Sequence, residues 1–239
     1  MEIMASRPER PTNLAVVESC TLLNSVPVAD RQQVANNSFM AYAERGEVIW
    51  LAGTAAECCV IAGTGFIKMT KLSSSGHEVT MELLGPGQVL GLMAVIEGRQ
   101  FPLSAVSVTN CWYLKVPSRV ILPIYQANSN LKDQVVRTIG PRVRRAHEMM
   151  SRFSTGSAEE CIAAVLFILA DSYGTHKGNK VRLDVPLTRQ EISEMAGTTV
   201  ETTIRVMSRW QKSGIVRTEH QMITILDAER LDRIMRDTP

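Results

Sequence analysis

Toward its C-terminal end the chain carries LTRQEISEMAGTTVETTIRVMSRWQKSG, and this stretch constrains the fold more than any other. Leu187, Ile192, Met195 and Ala196 share one face of a first helix, while Thr203, Val206, Met207 and Trp210 share one face of a second. Gly197 stands between them, where the chain must turn sharply. Two apolar faces so close in sequence can pack against each other, which turns Glu201, Arg205, Ser208 and Arg209 outward, one or two turns apart. Thr199 and Thr202 add hydroxyls at the start of the second helix, where free backbone N–H groups and the helix dipole favour phosphate. Arginine can donate two hydrogen bonds to guanine O6 and N7, and glutamate can accept one from cytosine N4. The pattern therefore suits a helix lying in a DNA major groove. The same two charges also suit a plain i,i+4 surface pair, Glu201 with Arg205.

The flanks extend this reading. VRLDVPL before the pair and MITIL after it are strand-like, giving the order strand, helix, turn, helix, strand of a winged helix. Upstream, residues 158–172 form a helix apolar on most of its surface, expected to be the core of a second domain, with Ser154-Thr155-Gly156-Ser157 as the hinge before it. Between about residues 47 and 116 the chain reads as short β-prone runs (EVIWL, CCVIAG, GFIKMTKL, HEVTMELL, LSAVSVTNCWYLKV) separated by glycine turns. That spacing belongs to sandwiches, barrels and β-rolls, here preceded by a helix over residues 28–36.

Joining the halves, Val136, Ile139, Val143, Ala146, Met150 and Phe153 recur by threes and fours, the seam either of a helix that pairs with a second copy or of one packed only on its own domain. Pro141 falls inside that seam and predicts a kink or a fresh helix start. The fold class expected is α+β: a tail over residues 1–20, a β-rich sensor domain over 21–130, a dimerisation helix over 131–154 and a winged helix over 155–239.

Composition narrows the function. Cys20, Cys58, Cys59, Cys111 and Cys161 are odd in number and contain no C-x-x-C pair, which argues against a disulfide framework or a zinc site. No run is long and apolar enough for a membrane span and MEIMASRPERPTN lacks a signal-peptide core, so a cytoplasmic protein without a membrane partner is expected. The net charge of +2 points to no polyanion by itself, and residues 158–239 carry 11 basic against 12 acidic side chains. Phosphate contacts should then be few and focused. Paired catalytic carboxylates, a nucleophile with its base and a phosphate loop are not visible, so an enzyme is not expected.

From about Leu22 onward the chain resembles the Crp/Fnr superfamily of transcription regulators. TTVETTIRVMSRWQKSG and LTRQEIS resemble the helix-turn-helix of its oxygen-responsive branch. GTGFIKM, GHEVTMELLGPGQVLG and SAVSVTNCWYLKV resemble its effector β-roll, a jelly roll like that of cyclic-nucleotide-binding domains. The resemblance implies a homodimer on double-stranded DNA, a palindromic operator with a TGA-like core read by Glu201 and Arg205, and RNA polymerase as a partner. It also implies phosphate contacts from Thr188, Arg189, Thr199 and Thr202, with Val200 facing the groove. Where the oxygen-responsive branch has serine this chain has Ile204, which leaves the bases beside the core open.

Cyclic-AMP binders in the family hold their ligand with a Gly-Glu pair, an Arg-Ser pair and small hydroxyl residues on the dimer helix. The matching positions here are Gly91-Leu92, Leu103-Ser104 and Met149-Met150. Without the arginine a buried phosphate lacks its charge partner, so an effector other than cyclic AMP, apolar and unidentified, is expected at these residues. The iron–sulfur branch clusters three cysteines near its N-terminus, where only Cys20 lies. No cofactor is expected. The competing reading is a sensor of haem or another small molecule whose winged helix contacts protein; His77, His147, Met149 and Met150 would be its candidate axial ligands.

Overall fold

In the computed structural model, residues 8–73, 76 and 78–236 are described, and candidate ligand His77 lies outside them. The chain forms two units, one of residues 1–71 and 81–142, the other of residues 72–80 and 143–239.

The first unit begins with α1 (Asn13–Ser19), a short 3₁₀ turn (Thr21–Leu23) and α2 (Val28–Asn36). Its strands are β1 (Phe39–Ala43), β2 (Val48–Trp50), β3 (Cys58–Ala62), β4 (Ile67–Leu72), β5 (Glu78–Leu84) and β6 (Val89–Leu90). After α3 (Leu92–Glu97) come β7 (Ser104–Ser107), β8 (Cys111–Pro117) and α4 (Ser118–Ala127). Two four-stranded sheets result, in the orders β1-β8-β3-β6 and β2-β7-β4-β5.

The central strands β3 and β8 of the first sheet are buried on both faces, which explains the unbroken apolar run at Cys58 to Ala62. Cys59, Ile61, Leu114 and Val116 face a cluster built from the helices, while Val60, Ala62, Cys111 and Tyr113 face a core shared with Ile67, Met69, Leu84 and Ala105 of the other sheet. Successive strand residues point to opposite faces, so the register Cys59↔Val116 and Ile61↔Leu114 fixes both cores at once.

The expectation of a tail over residues 1–20 is corrected from Pro8 onward, residues 1–7 lying outside the described ones. Thr12 caps α1 by accepting the Ala15 N–H at 3.1 Å, and Val16, Val17 and Cys20 are buried in the helix-side cluster. Indole Nε1 of Trp112 also donates to the Pro8 carbonyl at 2.8 Å. A seven-residue helix carries too little periodicity to show in sequence; what holds it is the outer face of β3 and β8, which needs a cover. The strand β1 was likewise not anticipated.

Helix α5 (Ser129–Thr155) runs 27 residues through Pro141, so no fresh start occurs there. The ring removes one intrahelical donor, a loss the turns on either side outlast. Leu131 and Val135 are buried in the helix-side cluster and Ile139 packs against it, whereas Val136, Val143, Ala146, Met150 and Phe153 are exposed.

The second unit contains α6 (Ala158–Tyr173), β9 (Gly174–Lys177), β10 (Lys180–Leu183), α7 (Arg189–Ala196), α8 (Val200–Lys212), β11 (Val216–Glu219), β12 (Met222–Ile225) and α9 (Ala228–Arg236). Its sheet has the order β11-β12-β10-β9. Helix α6 contributes eight buried residues to this core, from Cys161 to Ala170, in keeping with its apolar sequence. Among the described residues no helix is long and apolar enough to cross a membrane.

All five cysteines are free thiols. Burial pushes Cys20 up to about 11 and Cys111 up to about 12, and raises Cys58, Cys59 and Cys161 as well. Because the thiolate is the nucleophile, labelling of the native protein near pH 8 should be slow throughout, with half-buried Cys58 first. Rapid modification of two or more thiols in a thiol-counting assay without denaturant would contradict this packing.

Candidate nucleic-acid interface

Helix α7 starts with a reciprocal cap. The Thr188 hydroxyl accepts the Glu191 N–H at 3.2 Å, and the buried Glu191 carboxylate accepts the Thr188 N–H at 2.6 Å and the Thr188 hydroxyl at 2.8 Å. The helix ends at Gly197 in the left-handed region, φ 63°, with the Phe153 ring 3.1 Å from where a Cβ would stand. Helix α8 is capped by Thr199, which accepts the Thr202 N–H at 3.2 Å. On its inner face Thr203, Val206, Met207 and Trp210 are buried, Trp210 to 1% exposure. That burial leaves Glu201, Ile204, Arg205, Ser208, Arg209 and Lys212 outward. Arg205, Ser208, Arg209, Lys212 and Ser213 line an open groove of about 540 Å³ along the helix.

Several expected DNA-contacting side chains already have partners in the protein. The Thr188 hydroxyl is committed to its cap. Arg189 donates to the Thr218 hydroxyl at 2.9 Å, and burial lowers its pKa from the ordinary guanidinium value. Thr199 and Thr202 hydroxyls are bonded to each other at 3.1 Å, which leaves one proton of the pair to donate. Val200 is half-buried at the first turn of α8. Arg209 pairs with Glu159 on α6, whose other oxygen accepts Nε1–H of Trp210 at 2.7 Å. Sequence reasoning missed Glu159: an acidic residue in the first turn of a helix reads there as a complement to the dipole.

The residues expected around an effector divide between the units. Gly91, φ 75°, precedes α3, and a Cβ there would lie 2.7 Å from the Phe101 ring. Phe101 is buried and stacks on Trp50 with centroids 4.4 Å apart, and Trp50 Nε1–H donates to the Leu103 carbonyl at 3.0 Å. Leu92 is buried in the helix-side cluster, Leu103 packs on the core between the sheets, and the Ser104 hydroxyl accepts the Ala52 N–H at 3.0 Å. Phe101 thus stands against Gly91, and its stacking partner Trp50 is tied to the Leu103 backbone. Met149 is half-buried and Met150 exposed on α5, in the other unit, where His147 is also exposed. Trp50 and Phe101 were not anticipated; their separation in sequence hides the stack.

Comparison with known proteins agrees with this geometry. The Crp-like helix-turn-helix domain family matches residues 162–234, and the cyclic nucleotide-binding domain family matches residues 41–128. The chain is 26% identical to the anaerobic regulatory protein of Haemophilus influenzae over 188 residues, 79% of this chain and 73% of that protein. It is 23% identical to the CRP-like cAMP-activated global transcriptional regulator of Mycobacterium tuberculosis over 192 residues, 80% and 86% of the two chains. Its fold resembles that of FixK2 from Bradyrhizobium japonicum, with TM-score 0.73 and 20% identity, covering 84% of this chain and 99% of the other.

The capping box makes its own prediction. Thr188→Ala should lower stability by about 1 kcal/mol in a denaturant titration. A variant as stable as the parent would show that the cap does not hold α7.

Proposed function

This chain belongs to the Crp/Fnr superfamily of DNA-binding transcription regulators, and on that footing we propose that it acts as a homodimer reading a palindromic operator. Each α8 enters one major groove, with half-sites about one helical turn apart. Arg205 reads guanine and Glu201 reads cytosine in a TGA-like core, with the exposed Ile204 beside them. The observation that carries this reading is the burial of Thr203, Val206, Met207 and Trp210, which leaves Glu201 and Arg205 exposed on the opposite side of a capped, well-packed helix.

Phosphate contacts in this reading come from Thr202 and the backbone N–H groups at the start of α8, and from Lys212. Thr188 and Arg189 then act mainly by holding α7 in place. Self-pairing is supported by the exposed apolar side chains Val136 (69%), Val143 (44%), Met150 (66%) and Phe153 (47%), aligned with Ala146 along α5. Ile139 leans toward its own domain instead. RNA polymerase as a partner rests on the family resemblance alone.

The effector, in this reading, is not cyclic AMP. The name of the Mycobacterium tuberculosis relative ties that protein to cyclic AMP. In this chain Leu92 and Leu103 stand where cyclic-AMP binders carry glutamate and arginine, and Phe101 stacked on Trp50 fills the space beside Gly91. An anion there would meet apolar side chains and no charge partner.

Arg205→Ala tests the base-reading assignment. Its affinity for a duplex carrying TGA-centred inverted repeats should fall by about 1 to 3 kcal/mol, with relaxed preference at the matching base pair. Unchanged discrimination between that duplex and a scrambled one, measured by fluorescence anisotropy, would sink the assignment.

A further inference from the structure

We propose that Glu159 is a positioning residue for the recognition helix and that Arg209 is its fixed partner rather than a DNA contact. Base specificity then depends on a carboxylate that never touches DNA. The inference rests on the reading of α8 as the base-reading helix.

Glu159 lies in the first turn of α6 and reaches α8 with both carboxylate oxygens: Oε1 accepts the Trp210 indole N–H at 2.7 Å and Oε2 pairs with the Arg209 guanidinium. Trp210 points into the core at 1% exposure, and the Arg209 side chain is 57% exposed. Neighbouring residues stand about 100° apart around a helix, so one carboxylate grips α8 on two adjoining sides and opposes rotation about its axis. Side chains reach roughly 5–6 Å from that axis, so a turn of about 10° shifts a side-chain head by about 1 Å. Bidentate contacts from Arg205 to a base edge tolerate little of that, because hydrogen bonds weaken steeply with distance and angle.

The pairing also sets the electrostatics of the groove. Of Arg205, Arg209 and Lys212, which line it, Arg209 is neutralised from behind by Glu159. A paired Arg209 displaces no counterion from DNA, so it adds nothing to the salt dependence of binding.

The test uses the full chain with two duplexes, one carrying TGA-centred inverted repeats and one scrambled, over a series of salt concentrations. Glu159→Gln keeps an amide oxygen for Trp210 and removes the anion facing Arg209. It should weaken binding to the inverted repeat by about threefold to tenfold, while the freed Arg209 cation should raise scrambled binding and the salt slope. Arg209→Ala should weaken inverted-repeat binding as much with the parent's salt slope and scrambled binding, and the double variant should be no worse on the inverted repeat than either single one. Trp210→Phe, which retains the packing and loses the N–H, should reproduce part of the loss, and melting curves check that each variant is folded.

If Arg209→Ala instead lowers the log–log salt slope by about one and its effect adds to that of Glu159→Gln, Arg209 is a phosphate contact and the proposal fails. Full discrimination by Glu159→Gln overturns it too. Arg205→Ala in the same series separates the two readings: if that variant still discriminates, base reading by α8 is itself wrong.

Discussion

The phase of α8 about its own axis follows from Trp210. Its indole is the largest side chain on the inner face of the helix and is almost fully buried, and its N–H finds a carboxylate at Glu159. An indole of this size would leave a large hole if turned outward, and its N–H would go unpaired if turned inward without an acceptor. Both demands are met in one rotational setting, with Thr203, Val206 and Met207 completing the buried stripe. The rest is geometry at 3.6 residues per turn: Glu201, Arg205 and Ser208 must face solvent. Packing chooses the face, and the chemistry of that face supplies the function.

The first unit shows the same logic at the scale of a sheet. Because β3 and β8 are covered on both sides, every residue from Cys59 to Ala62 is buried, and the helices α1, α2 and α4 are there to close the outer side. Helix α5 contributes Leu131 and Val135 to that closure, with Ile139 packed against it, then presents Val136, Val143 and Met150 as exposed apolar side chains. Such a stripe loses water only when something apolar covers it, and a second copy of the same helix matches its spacing.

The helix-turn-helix was legible in sequence because it obeys two strong local rules, a 3.6-residue apolar period and a glycine turn at Gly197; the caps at Thr188 and Thr199 were read only as phosphate contacts. The two-faced sheet was legible only as strands. The sequence of CCVIAG says that a run is apolar, and the two sets of partners that bury it lie far along the chain. For the same reason α1, β1 and the stack of Trp50 on Phe101 escaped notice. Arg189 and Arg209 read as free cations in sequence; their partners Thr218 and Glu159 stand 29 and 50 positions away, and no local pattern marks either pair. At Pro141 the fresh start that the sequence offered beside a kink does not occur, since a 27-residue helix with packed neighbours before it can lose one hydrogen bond and continue.

The account is tested most directly by selecting binding sites from a randomised duplex library with the purified full-length protein and no added ligand. It predicts enrichment of an inverted repeat with a TGA-like core in each half, the halves about one helical turn apart. Enrichment of a single asymmetric site, or of an inverted repeat without that core, would contradict it.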